Sequence, residues 1–168
     1  MAAFYAFIML DIFFRFFLIR SGAAQNAAGV AAHYHNFIPF KTIWGYLSGG
    51  IRVSQAAVVR NLLGNVLVFV PYGLYLQTLL KNKAFAKSLL LVAATSVAVE
   101  TTQLVFGLGT FDIDDVILNC LGGVIGIMFY KLLLRFLGQE SKAKTAVTIL
   151  SLGAGLPVIF VYLSALRF

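Results

Sequence analysis

Long apolar runs alternate with short polar links along this chain, and the runs predict membrane-spanning helices. They lie at about residues 2–19, 61–80, 88–106, 116–135 and 145–166. A helix needs roughly 20 residues to cross the hydrocarbon of a bilayer, and these runs have that length. A transmembrane barrel would need short strands of alternating polarity instead. The pattern therefore predicts an all-α, polytopic membrane bundle of about five transmembrane helices in a single domain, residues 1–168.

The first run contains two charges, Asp11 and Arg15, at a spacing that places them on one helix face. There they can neutralise each other, which makes an uncleaved span acceptable. A cleaved signal peptide is the alternative, because small residues follow at 21–24. The run lacks the basic start and the charge-free core of such a peptide, so an uncleaved helix is preferred.

The connection between the first two runs contains a different kind of segment, near residues 36–48. It combines aromatic residues with Pro39, Lys41 and Trp44. Amphipathic rings and a lysine favour the boundary between water and hydrocarbon. We therefore expect an interfacial or re-entrant segment here. The nearby His33 and His35 are expected to be ordinary loop histidines, because two alternating histidines do not define a metal geometry.

The composition supports a membrane protein and argues against nucleic acid as a partner. Apolar residues make up 61% of the chain and charged residues 11%, against about 45–50% and 25% in soluble domains. The net charge is +7, but the basic residues stand at the ends of apolar runs rather than in a stripe. Seven of them fall on the side of the 81–87 link and five on the opposite side. This bias predicts that the 81–87 link is cytoplasmic and the 107–115 hinge extracytoplasmic.

The polar residues in and near the spans fall on one side of the predicted bundle. Ser96, Glu100, Gln103 and Gly107 follow one face of the third predicted helix. The asparagines at the start of the second predicted helix are expected to form hydrogen bonds between helices or to bind a ligand. Together with the interfacial segment they predict a shared polar vestibule. The ligand-binding candidates are Asn36, Lys41, Arg60, Asn61, Asn65, Glu100, Gln103, Asp112, Asp114, Asp115 and Asn119.

Three aspartates in the hinge before the fourth run allow two interpretations. Asp112, Asp114 and Asp115 are hard oxygen ligands that could hold Mg²⁺ or Ca²⁺, and the cation, Lys41 and Arg60 could then bind a lipid-linked diphosphate. Alternatively, they cap the fourth helix, expected to begin at about residue 115 or 116. Asp112 and Asp115 have the spacing of a capping box. The sequence leaves both interpretations open.

Three ordered blocks of residues span most of residues 36–126; they are Asn36-Phe37-Ile38-Pro39-Phe40-Lys41-Thr42-Ile43, Asn61-Leu62-Leu63-Gly64-Asn65 through Pro71-Tyr72-Gly73, and Glu100-Thr101-Thr102-Gln103 through Asp112-Ile113-Asp114-Asp115 to Asn119-Cys120-Leu121-Gly122-Gly123. Together these blocks resemble the VanZ-like family of bacterial membrane proteins. The resemblance implies a multi-pass protein of the bacterial cytoplasmic membrane. It also implies a link, in some members, to reduced teicoplanin susceptibility. It supplies no catalytic mechanism. Some relatives have an arginine shortly before the aspartates, where this chain has residues 107–110 without one; Arg52 or Arg60 could serve instead.

Three functional classes are compatible with these features. The first is a membrane protein that binds or modulates an envelope lipid target and so lowers susceptibility to teicoplanin-type lipoglycopeptides. The second is a metal-dependent enzyme acting on a lipid-linked phosphate or glycan intermediate, and the third is a transporter. Membrane lipids are expected partners, with a cell-wall lipid intermediate or a lipoglycopeptide as a further one. Gly122 and Gly126 permit a close helix contact, which is typical of internal packing and also compatible with a homo-oligomer.

Overall fold

The computed structural model describes residues 35–51, 53–80, 84–106 and 110–165, with side chains described as far as residue 153. Within these residues the chain is helical, and its helices are α1 (Lys41–Leu47), α2 (Gln55–Leu79), α3 (Phe85–Val105), α4 (Ile113–Leu137) and α5 (Glu140–Ala165). The predicted span at residues 2–19, His33, Arg52 and Gly107 lie outside the described residues. The all-α prediction is confirmed for the described part, whereas the count of five spans stays a prediction.

Three of these helices, α2, α3 and α4, are long and apolar enough to cross a membrane. Large apolar side chains are exposed on each of them, such as Leu67 on α2, Val97 on α3 and Met128 on α4. An apolar surface of this kind suits lipid rather than water. The chain is therefore a helical membrane protein.

Each long helix begins earlier than the hydropathy pattern predicted. Helix α2 starts at Gln55, because Ser54 caps it by accepting the N–H of Ala57 at 3.2 Å. Helix α4 starts at Ile113, and α5 starts at Glu140, within the predicted polar link. Polar residues at a helix start satisfy its free N–H groups, so the helix extends past the apolar run. Helix α2 also continues through Pro71, although proline has no backbone N–H to donate within the helix.

Helices α2 and α4 lie side by side and run in the same direction, and glycines let their backbones touch. A Cβ atom on Gly122 would lie 2.0 Å from the carbonyl oxygen of Val66, and one on Gly126 would lie 1.9 Å from that of Val70. Gly73 makes the reciprocal approach to the backbone of Gly123. The small-residue face predicted from Gly122 and Gly126 is thus used inside the chain. A homo-oligomer stays an untested prediction.

Helix α3 runs antiparallel to α2 and α4, so the two ends of the bundle collect different parts of the chain. At one end Gln77 of α2 donates to Ser88 of α3 at 2.6 Å. Beside them, buried Tyr130 packs against α5. The opposite end collects α1, the start of α2, the end of α3 and the start of α4. Most of the polar residues singled out in the sequence meet there.

Candidate functional site

The first and third sequence blocks are joined by a short stretch of paired backbone. Asn36 forms an isolated parallel β-bridge with Asp112. The N–H of Asn36 donates to the carbonyl of Phe111 at 2.8 Å, and the N–H of Ile113 donates to the carbonyl of Asn36 at 2.9 Å. The rings of Phe37 and Phe111 stack beside the bridge, with centroids 5.2 Å apart. The loop before α1 is thereby fixed against the start of α4.

Asp112 caps α4 and also holds the first block. Its carboxylate accepts the N–H of Asp114 at 2.9 Å, the side-chain amide of Asn36 at 2.9 Å and the hydroxyl of Thr42 at 2.7 Å. Its own N–H donates to Glu100 of α3 at 3.3 Å. The N–H that a capping box with Asp115 would use thus donates to Glu100 of a neighbouring helix.

Asp114 is directed away from its own helix and toward the start of α1. It is 1% exposed. Its two carboxylate oxygens accept the backbone N–H groups of Phe40, Thr42 and Ile43, the last two at 2.7 and 3.0 Å. These N–H groups belong to the first turn of α1 and would otherwise lack helical partners. A negative charge is also favoured at that end of a helix. One aspartate of α4 thus caps a helix that lies far earlier in the sequence.

Asp115 connects α4 to α2. The side-chain amide of Asn65 donates to its Oδ1, and that of Asn61 reaches the same oxygen at 3.4 Å. One turn further along α4, the amide of Asn119 donates to Ser96 of α3 at 2.9 Å. The prediction that the asparagines bond between helices is confirmed. Asp112 and Asp114 therefore both hold the first block, with Thr42 bonded to each of them, whereas Asp115 holds α2.

Some predicted site residues join this network and others do not. Lys41 and Arg60 are exposed. Gln103 is buried, and its Oε1 has no hydrogen-bond partner among the described residues, as is also true of Oδ1 of Asn61. The structure brings together Asn36, Asn61, Asn65, Glu100, Asp112, Asp114 and Asp115 by direct contact, with Asn119 one turn deeper.

Two residues important for this site were not among the predicted candidates. Thr42 uses both its N–H and its hydroxyl to contact the aspartates. Ser96 was assigned to the polar face of α3, but not as the partner of Asn119. Thr42 lies inside the first block, and this position was the feature of the sequence that could have marked it as a site residue. Its two contacts depend on docking between distant segments, which periodicity does not encode.

The described residues hold no group of three His, Cys, Asp or Glu side chains placed to bind one metal ion. The carboxylates of Asp112 and Asp114 both accept hydrogen bonds from Thr42, and the carboxylate of Asp115 accepts one from Asn65. The predicted Mg²⁺ or Ca²⁺ site on these residues stays a prediction, and the arrangement seen here is one in which carboxylates join helices.

Comparison with known proteins places these blocks in a family context. The family model described as VanZ/LLP1 matches residues 2–135. The chain belongs to the VanZ/LLP1 family. Protein VanZ of Enterococcus faecium is 35% identical over 81 residues, which are 48% of this chain and 50% of that protein. The chain thus spans about half the length of this curated relative. No solved structure matches the chain significantly.

Membership in the VanZ/LLP1 family agrees with the resemblance drawn from the three blocks, and the family match contains all of them. In three dimensions the blocks form one hydrogen-bonded unit. The first supplies Asn36 and Thr42, the second Asn61 and Asn65, and the third supplies the carboxylates. In this chain, the three blocks are therefore joined by contacts among helix ends.

Proposed function

We propose that this protein lowers the susceptibility of a bacterial cell to teicoplanin-type lipoglycopeptides, acting from the outer face of the cytoplasmic membrane on an envelope lipid target. The observation that carries the proposal is the joining of all three family blocks at one end of a membrane bundle. There the hydrogen-bonded unit of Asn36, Asp112 and Asp114 contacts a segment with exposed aromatic side chains. Membership in the VanZ/LLP1 family and the similarity to Protein VanZ also support this proposal.

The physical reason lies in where a lipid-tailed glycopeptide collects. Each methylene buried in a membrane contributes about 0.8 kcal/mol, so the drug concentrates at the outer surface of the bilayer. A protein with a polar, structured end at that surface can compete for the drug, for its lipid target, or for the membrane patch where the two meet. A glycopeptide that depends less on membrane anchoring should be affected less.

The proposed orientation places the end with Asn36 and Asp112 outside the cell and the opposite end in the cytoplasm. The prediction of five spans and the bias of seven basic residues against five support it. Lys87, Lys131 and Arg135 belong to the end proposed as cytoplasmic, near the contact of Lys131 with the ring of Phe85. The exposed pair Glu140 and Lys144, 2.8 Å apart, opens α5 at that same end.

The alternative of a metal-dependent enzyme on a lipid-linked phosphate or glycan has less support. Such an enzyme needs carboxylates that share a cation. Here Asp114 is occupied by three backbone N–H groups and Asp115 by two asparagines. No observation on the described residues favours turnover over binding.

Drug susceptibility tests the proposal. The protein and an empty vector should be compared in a susceptible Gram-positive host, with membrane levels measured. The expected result is a higher inhibitory concentration for teicoplanin with the protein than with the vector, and a smaller change for vancomycin. Equal teicoplanin values for protein and vector would contradict the proposal. Equal protection against both drugs would remove the part of it that depends on membrane anchoring.

A further inference from the structure

The segment Asn36–Leu47 presents an apolar surface that no described part of the chain covers. No residue of α1 is buried. Five of its large apolar side chains are more than half exposed: Phe37 66%, Ile38 61%, Phe40 59%, Trp44 70% and Leu47 72%; Ile43 is partly buried. Single exposed apolar residues are ordinary, but a contiguous group marks an interaction surface.

This surface is held in a fixed shape. Asp114 binds three backbone N–H groups at its centre. On the far side, Ile51 folds back to donate its N–H to Gly45 at 3.0 Å, and its side chain lies 2.6 Å from where a Cβ of Gly45 would be. Phe40 has a φ of 64°, a left-handed conformation that residues other than glycine rarely adopt. Such a conformation persists only where the surroundings determine it.

The chemistry of the surface fits the boundary between lipid headgroups and acyl chains. Backbone outside a regular helix flanks α1 on both sides, and its polar groups cannot lie in hydrocarbon without cover. Lys41, exposed in the middle of the aromatic group, would also be costly there. At the boundary, aromatic rings reach the upper acyl chains while a lysine meets lipid phosphates. Val105 and Phe106, at the end of α3 on the same side of the bundle, are also exposed.

We propose that Asn36–Leu47 is an in-plane lipid-binding surface, with phospholipid as its partner, and that Asp114 is the positioning residue that sets its depth. The aromatic face enters the upper acyl region and Lys41 lies among the phosphates. This decides between the interfacial and re-entrant alternatives in favour of the first. The inference goes beyond the resistance function and requires only that the chain spans a membrane.

Trp44 offers a direct test, because it is the one tryptophan of the chain. Its fluorescence should be measured in proteoliposomes with lipids brominated either near the top or near the end of the acyl chain, and with aqueous iodide. Strongest quenching by the shallow bromine is expected. Strongest quenching by the deep bromine would show a re-entrant segment, and dominant quenching by iodide would show a face in water. Quenching by none would show a face covered by protein. Each of these three results overturns the proposal.

Two variants test the surface and its support separately. In Phe40→Asn, asparagine tolerates the left-handed backbone and Asp114 is unchanged, but one aromatic ring is removed. Trp44 should then lie at a shallower depth in the bilayer. Asp114→Asn has one acceptor oxygen, whereas the wild type uses two. Quenching of Trp44 by brominated lipid should therefore decrease, and quenching by iodide should increase. Glu140→Gln, at the opposite end, should leave Trp44 unchanged. Unchanged quenching in both test variants would contradict the proposal. No antibiotic is involved, so failure here is distinct from failure in the susceptibility assay.

Discussion

The carboxylate of Asp114 accepts the backbone N–H of Thr42 at 2.7 Å, across a separation of 72 residues. This contact joins the start of α4 to the start of α1, and its geometry uses both oxygens of the side chain. Asp114 was a candidate cap for its own helix, but Asp112 fills that position. Asparagine at residue 114 is therefore not a neutral replacement, since both a structural and a ligand-binding role predict that it causes damage.

Glu100 provides a cleaner test of whether charge is used at the site. Its Oε2 accepts the N–H of Asp112, a bond that the amide oxygen of glutamine can keep. We expect Glu100→Gln to insert and fold, but to reduce teicoplanin protection toward the vector level if the carboxylate acts through charge. The measurement is the inhibitory concentration at matched membrane level. Glu140→Gln, at a half-exposed surface pair, is the control and should protect normally. Normal protection by Glu100→Gln would show that the charge is not needed.

The contact between α2 and α4 predicts a large effect from one methyl group. Gly126→Ala would place a Cβ 1.9 Å from the carbonyl oxygen of Val70, so the helices must move apart. Overpacking of this kind costs about 1–3 kcal/mol. Thermal unfolding in detergent should show a lower midpoint. Gly153→Ala is the matched control, because nothing lies within 4 Å of its added Cβ, and it should be neutral or stabilising by up to about 1 kcal/mol. Equal midpoints for the two variants would contradict the packing described.

Membrane orientation can be measured with two exposed serines at opposite ends. On a Cys120→Ala background, Ser48→Cys follows α1 and Ser141→Cys lies in the first turn of α5. An impermeant maleimide applied to intact cells should label residue 48 and reach residue 141 only after permeabilisation. The basis is the charge bias across the spans. The reverse labelling pattern would invert the proposed topology and place the polar site in the cytoplasm.

The sequence predicted the helices and the gathering of polar residues at one end for simple physical reasons. Hydropathy reports which runs avoid water, and alternate spans return to the same side. The positions of Asn61, Glu100 and Asp112 at one end follow from that alternation. Helix starts were predicted too late because polar residues such as Asp112 belong to the cap, although they interrupt the apolar run.

The sequence could not assign partners to the three neighbouring aspartates. Asp114 and Asp115 are adjacent, yet one binds α1 and the other α2. Adjacent side chains on a helix point in different directions around its axis. Which partner each of them meets depends on how α1 docks. The capping-box spacing of Asp112 and Asp115 was misleading for this reason, since Glu100 was available from another helix. The contact of Gly122 and Gly126 with α2 could not be predicted either, because a pattern of small residues does not show which helix packs against it.

The central claim is that Asp114 holds the first family block onto the third. Residue-resolved amide hydrogen exchange at Phe40, Thr42 and Ile43 tests it most directly. A hydrogen bond to a charged group contributes about 1.5–3 kcal/mol, which corresponds to a change of roughly tenfold or more. These amides should exchange slowly in the wild type and at least about tenfold faster in Asp114→Asn, while amides near Val92 stay unchanged. Fast exchange in the wild type, or equal rates in both proteins, would contradict the account.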